Sequence, residues 1–303
     1  MGEQIIVSKL VKQYRDKTVL DGVDLVVHRN ECIGIIGKNG AGKTTLLECI
    51  EGIRKWQKGE ITISGHKIPD TRNHLRNTMG IQLQSASLPD EIKVREAIEL
   101  FAAEHYVHYS FDEKSLFGMA ALLQKRYKEL STGQKRRLHL LLATLHNPDI
   151  IILDEPTAGL DIEGKEELYQ IIGEYKTKGK TILVTSHDLT EVELLCDRVL
   201  MIDAGTLIEI GDIAHSKLRE AKTTLIIKTV NGSLREGFAS VFGTANESPQ
   251  GDVIEYKCSN ITKFIRDITA FIDDNDDCIL DISLKNKSLK DKFFETIEGE
   301  EQL

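Results

Sequence analysis

Eight residues, Gly37-Lys38-Asn39-Gly40-Ala41-Gly42-Lys43-Thr44, stand between an apolar run, Cys32 to Ile36, and a stretch of helical spacing, Thr44 to Ile50. They fit the pattern GxxxxGK[ST] in the strand-to-helix context it requires. The glycines let backbone N–H groups turn inward around a polyphosphate, where a Cβ would block the turn or the approach. Lys43 offers a point charge to the β and γ phosphates, Thr44 a hydroxyl to Mg²⁺, and the helix its positive N-terminal end. A second element completes this chemistry. Ile150 to Leu153 reads as a buried strand, and Asp154 emerges at its carboxyl end, where a Mg²⁺ shell needs an anion. Glu155, one position on, is placed to orient and deprotonate an attacking water.

The elements that must hold these residues are those of an α/β fold. Apolar strands at Cys32 to Ile36, Ile150 to Leu153 and Thr181 to Thr185 alternate with helical segments. Ile5 to Val7, Val23 to Val27 and Glu60 to Ile63 read as an antiparallel flank. From about Val94 to Leu130 the pattern is helical, with Ala97, Ile98, Leu100 and Phe101 expected on one side and Ala120 to Leu123 later. This predicts a helical insertion spanning about 85–145. After a charged helix beyond Gly211, strands at Thr224 to Val230 and Val253 to Cys258, a helix Ile261 to Ile272, a strand Cys278 to Leu284 and a helix opening at Ser288 suggest a small ββαβα domain. The expected division is 1–221 and 222–303.

Composition narrows the function. The 303 residues carry a net charge of −9 with mixed signs throughout, which disfavours nucleic acid as the main partner. The five cysteines are odd in number and widely spaced without a CxxC pair, and read as reduced core thiols of a cytoplasmic protein. No stretch reaches the roughly 18 to 20 apolar residues of a membrane span, and the N-terminus lacks a signal-peptide core, so no direct membrane insertion is expected. Asp273 to Asp277 begins like a Ca²⁺ loop, but Cys278 and Leu284 stand where Gly and Glu are needed. His105 and His108 find no third ligand in the sequence nearby and are read as no metal pair.

Leu130-Ser131-Thr132-Gly133-Gln134, shortly before the Asp154 strand, makes the reading specific: it resembles the LSGGQ signature of ABC ATPases. Ser131 and the amide of Gly133 stand at the start of a helix running through Leu138 to Leu145, where hydroxyl, N–H groups and dipole favour a γ-phosphate. Thr132 departs from the commoner Gly, while Ser131 and Gly133 are kept. The resemblance implies that this phosphate belongs to the ATP of an opposite subunit. It further implies that Gln84 is the Q-loop glutamine reaching Mg²⁺ and the attacking water, with Gln82 the second candidate. Gly159-Leu160-Asp161 would be the D-loop, His187 the switch histidine, and Tyr14 the aromatic stacked on adenine. By the same resemblance the ATP contacts comprise Tyr14, Gly37, Lys38, Asn39, Gly40, Ala41, Gly42, Lys43, Thr44, Thr45, Ser131, Gly133, Gln134 and Asp161. Thr44, Gln84 and Asp154 surround Mg²⁺, and Glu155, His187, Gln84 and Lys43 carry the chemistry.

The family reading makes the chain the ATP-hydrolysing subunit of a transporter, a homodimer peripheral to the inner face of the membrane. Its receiver would be a separate multi-span permease, docked at roughly Gln84 to Phe117. Ser85 to Glu96 and the closing Ser288-Leu289-Lys290-Asp291-Lys292-Phe293-Phe294 are similar to drug, antibiotic and lipid exporter ATPases. The rival is a soluble ABC ATPase of the iron–sulfur-assembly or another non-transport type.

Overall fold

The chain opens with two long strands, β1 (Glu3–Tyr14) and β2 (Lys17–His28), antiparallel from Glu3 opposite His28 to Tyr14 opposite Lys17. The computed structural model describes residues 2–15, 17–68, 75, 77–108, 111, 117–212, 223–230, 246–247, 254–258 and 261–285. The chain divides into two compact units, Met1–Gly211 and Asp212–Leu303.

In the first unit β1 also pairs with β4 (Lys58–Ile63), and β4 with β5 (His66–Ile68), giving the antiparallel order β2-β1-β4-β5. The central sheet is built on β3 (Cys32–Ile36), all five of whose residues are buried, as a strand covered on both faces requires. With β6 (Met79–Gln82), β7 (Ile150–Asp154), β8 (Thr181–Ser186), β9 (Arg198–Asp203) and β10 (Thr206–Asp212) the order is β10-β9-β3-β8-β7-β6. The pairings β9-β3-β8-β7-β6 are parallel, so their carboxyl ends open on one edge, where α/β sheets bind ligands. Helix α1 (Lys43–Ile50) lies between the two sheets. Its Leu46, Leu47 and Ile50 join one core with Ile5, Val7 and Leu25 of the flank and Ile33, Ile35 and Leu183 of the central sheet.

The helical insertion has a core of its own. Helix α2 (Val94–Glu104) buries Val94, Ala97, Ile98 and Ala102, and α3 (Thr132–Thr144) meets it through Leu138, Leu141 and Leu142. Leu100, expected on the inner side, is 58% exposed. The buried set follows i, i+3, i+4, i+8 from Val94, and Leu100 lies off that stripe. Ala120–Leu122 forms a 3-10 turn, with Leu122 and Leu123 packed against the same core. Helix α4 (Ile162–Thr177) precedes β8, and α5 (Leu189–Leu195) precedes β9.

The second unit contains a four-stranded sheet in the order β12-β13-β11-β14, from β11 (Thr223–Thr229), β12 (Asn246–Glu247), β13 (Ile254–Cys258) and β14 (Ile279–Lys285). Every pairing in it is antiparallel. Helix α6 (Ile261–Asp274) buries Ile268 and Ile272. The charged helix after Gly211 and the exporter-like tail from Ser288 lie outside the described residues. The cysteines divide: Cys32, Cys49 and Cys196 are buried, whereas Cys278, at the start of an edge strand, is exposed rather than a core thiol. Cys32 and Cys196, far apart in sequence, bring their Sγ atoms to 3.8 Å because β3 and the end of α5 are neighbours.

Candidate nucleotide site

The loop from Gly37 to Gly42 runs from the end of β3 into α1. Gly42 has φ 115°, and a Cβ there would come within 3.1 Å of the Val19 carbonyl, so only glycine gives this entry to the helix without strain. Thr44 is exposed and Thr45 half-buried in the first turn of α1. Lys43 is 5% exposed, and its Nζ donates to the carbonyls of Gly37 at 2.8 Å and Lys38 at 3.3 Å. The cation is thus folded across the same loop whose amides could cradle a phosphate.

Asp154 ends β7 buried, accepting from the Thr185 hydroxyl of β8 at 2.6 Å. The same hydroxyl accepts from the backbone N–H of Glu155 at 2.9 Å. One threonine therefore fixes both acids. Glu155 has φ 45°, a left-handed conformation uncommon for a residue with a Cβ, at a cost of order 1–3 kcal/mol. Its carboxylate gathers the other catalytic candidates. Gln84 Nε2 donates to Oε2 at 2.8 Å, Lys43 Nζ stands 3.7 Å from Oε1, and His187 Nδ1 stands 3.7 Å from Oε2. Gln84 is itself held through its carbonyl, which accepts from Arg136 of α3 at 2.9 Å. Gln82, the second candidate, is buried in β6 and does not join this cluster.

The signature residues face a different place. Ser131 caps α3: its hydroxyl accepts from Gln134 N at 3.2 Å, and Gln134 Oε1 accepts from Ser131 N at 3.1 Å. Asp161 caps α4, accepting from Gly164 N at 2.9 Å. Ser131, Gly133, Leu160 and Asp161 line one open cavity of about 450 Å³. Among the described residues, no hydrogen bond or ion pair links Ser131 or Gly133 to Lys43 or Glu155. Beside this cavity Ile162 is 79% exposed. Tyr14, half-buried at the end of β1, has Lys12 Nζ 4.6 Å and Arg54 Cζ 5.4 Å from its ring centroid.

Sequence reasoning missed Thr185, Arg136 and Glu191. Thr185 had a signal, a hydroxyl at the end of a buried strand beside the Asp154 strand; Arg136 and Glu191 had none. Glu191 is 4% exposed on α5 and accepts from Thr157 at 2.7 Å, Ser186 at 2.7 Å and Tyr169 at 3.1 Å, with Lys165 Nζ at 2.8 Å. Burial works to raise its carboxyl, but Lys165, Ser186 and Thr157 outweigh it and hold the group below the usual range. Glu191 so ties the segment after Glu155 to the strand end that presents His187.

A Mg²⁺ ion fits this arrangement. Asp154, buried at the end of β7, is one residue from Glu155, whose Oε1 lies 3.7 Å from Nζ of the phosphate-loop Lys43. A sparse donor set suits an ion that keeps its waters and substrate phosphates.

The family model described as ABC transporter matches residues 20–158. The chain is 38% identical to the Nod factor export ATP-binding protein I of Burkholderia thailandensis over 212 residues, which is 67% of this chain and 69% of that protein. A solved ATP-binding subunit of an ABC transporter superposes with a TM-score of 0.64 at 28% identity, covering 71% of this chain and 93% of that one. A dimeric ATP-binding cassette in a post-hydrolysis state with ADP and Pi gives 0.62 at 26% identity, covering 69% and 98%. The phosphate loop, the paired acids and these likenesses agree, and the chain belongs to the ABC transporter family as an ATP-binding, ATP-hydrolysing subunit.

Proposed function

We propose that two copies of this chain close head to tail on two ATP molecules and that the closing and opening drives export through a separate multi-span permease. The observation that carries this reading is the division of polar chemistry. Lys43, Gln84 and His187 converge on Glu155, while Ser131 and Gly133 line another cavity, together with Asp161, at a helix N-terminus with a γ-phosphate's preferences. A second chain brings that helix end to the first chain's phosphate, and the exposed Ile162 is covered there.

In the closed pair the amides of Gly37 to Gly42 and Thr45 hold the phosphates, with Lys38, Asn39, Gly40 and Ala41 forming the turn. Lys43 moves from the Gly37 carbonyl to the β and γ oxygens, and Tyr14 offers its ring to adenine. Thr44, Asp154 and Gln84 would hold Mg²⁺, which would supply positive charge to the phosphates. Glu155 orients the attacking water and takes its proton, His187 contacts the γ-phosphate, and the partner's Ser131, Gly133 and Gln134 stabilise its developing charge.

Export is supported by the name of the Burkholderia relative, and the permease docks at about 84–117, next to the Gln84 that bonds Glu155. Among the described residues no helix is long and apolar enough to cross a membrane, which fits a chain held at the inner face by its partner. The test is Glu155→Gln. Phosphate release should fall by roughly 100-fold or more with ATP binding retained; release at the wild-type rate would overturn the assignment.

A further inference from the structure

Three basic residues follow the signature on α3, Lys135, Arg136 and Arg137, and a run of this kind is ordinarily a solvated helix face. Here each is committed to a different element, because successive residues of a helix point about 100° apart. Lys135 Nζ lies 4.7 Å from the Tyr127 ring centroid, and Arg137 Nη1 lies 3.1 Å from Glu167 Oε2 of α4. Arg136 Nη1 donates to the carbonyl of Gln84 at 2.9 Å. That last bond joins the helix capped by Ser131 to the segment that leaves β6.

The carbonyl of Gln84 is where an outside donor matters. Strand β6 ends at Gln82, and Gln84 lies beyond it in a turn, exposed. The main chain there has left the sheet, and an exposed glutamine side chain has many rotamers open to it. Yet Gln84 Nε2 donates to Glu155 Oε2 at 2.8 Å, whereas Lys43 Nζ and His187 Nδ1 each stand 3.7 Å from the same carboxylate. Of these groups, Gln84 is the one within hydrogen-bond distance. A charged donor on its carbonyl is a strong way to fix the main chain from which that side chain reaches.

We propose that Arg136 is a positioning residue for hydrolysis: by holding the Gln84 carbonyl it keeps Gln84 Nε2 on Glu155, acting through Gln84 and not on nucleotide or water. The inference rests on the reading of Gln84 and Glu155 as members of the hydrolytic site. The guanidinium comes from α3, which is anchored in the core of the insertion through Leu138, Leu141 and Leu142. An acid that emerges from the central sheet is thus aligned by a group that the insertion supplies.

The experiment is a double-mutant cycle on the full chain: wild type, Arg136→Met, Gln84→Ala and the pair, each read by phosphate release at saturating ATP and by ATP affinity. Arg136 is half-buried on a helix and Met is a comparable helix former, so Arg136→Met keeps the fold and the stem while losing the donor. The release rate should fall roughly tenfold, the loss of one charged hydrogen bond, with ATP affinity within about twofold of wild type. Arg136→Lys, which can give one bond to the same carbonyl, should recover the rate to within about threefold. In the Gln84→Ala background, Arg136→Met should change the rate by less than about twofold, because the group it positions is gone. The same loss in both backgrounds, or release at the wild-type rate by Arg136→Met, would overturn the proposal. Release at the wild-type rate by Gln84→Ala would overturn the reading of the hydrolytic site on which it rests.

Discussion

Two glutamates of the first unit are almost equally buried, Glu191 at 4% exposure and Glu51 at 7%, and their surroundings are opposite. Glu191 takes bonds from Thr157, Ser186 and Tyr169 and an ion pair from Lys165, and sits below its ordinary carboxylate range. Glu51 takes none among the described residues and is pushed up to about 8. The lesson is that burial alone does not decide what an acid does. Where the chain supplies partners, the charge becomes structure and braces the loops of the nucleotide site. Where it supplies none among the described residues, burial pushes the acid toward its protonated form.

The sharpest way to break this contrast is to neutralise Glu191. Glu191→Ala leaves Lys165 half-buried without its closest counter-charge and frees three hydroxyls, and should cost about 3 kcal/mol in denaturant unfolding. Its lowered carboxyl adds stability that is present above the ordinary value of 4.5 and lost as pH falls through the folded value, so the variant should also lose part of the wild type's acid sensitivity. Unchanged stability would place Glu191 with Glu51.

A smaller effect is expected from Thr185→Val, which removes the hydroxyl shared by Asp154 and Glu155 while keeping the strand packed. Turnover should fall roughly tenfold, matching the loss of about 1–1.5 kcal/mol of positioning, with little change in ATP binding by equilibrium titration.

The smallest effect belongs to Glu51 in the isolated chain. A raised acid contributes stability that is complete below 4.5 and is lost as pH rises toward about 8. Comparing unfolding midpoints of wild type and Glu51→Gln at about pH 5 and about pH 8 should show the wild type losing more across that interval. Parallel slopes would mean that Glu51 is ionised in the free chain.

The sequence carried much of the first unit because its signals are local. The apolar runs of β3, β7 and β8 and the spacing from Gly37 to Thr44 are each read within ten residues, and Ser131 announces its cap three residues before Gln134. The antiparallel flank was legible from the alternation of Ile5 and Val7. Leu100 misled because an apolar residue beside a helical stripe looks like part of it until the period is counted. Glu191, Arg136 and the Cys32–Cys196 contact depend on which strands and helices become neighbours, and no short window holds that information. Glu51 is the same case: in sequence it is one acid at a helix end, and only packing of the insertion against β6 encloses it.

The hydrolytic site is proposed to be completed by a second copy of this chain. This completion is tested most directly by the solution mass of Glu155→Gln with Mg²⁺ and ATP. A species of twice 34.0 kDa is expected, returning to 34.0 kDa when Ser131→Arg is added. A Glu155→Gln chain saturated with ATP yet still at 34.0 kDa would contradict it.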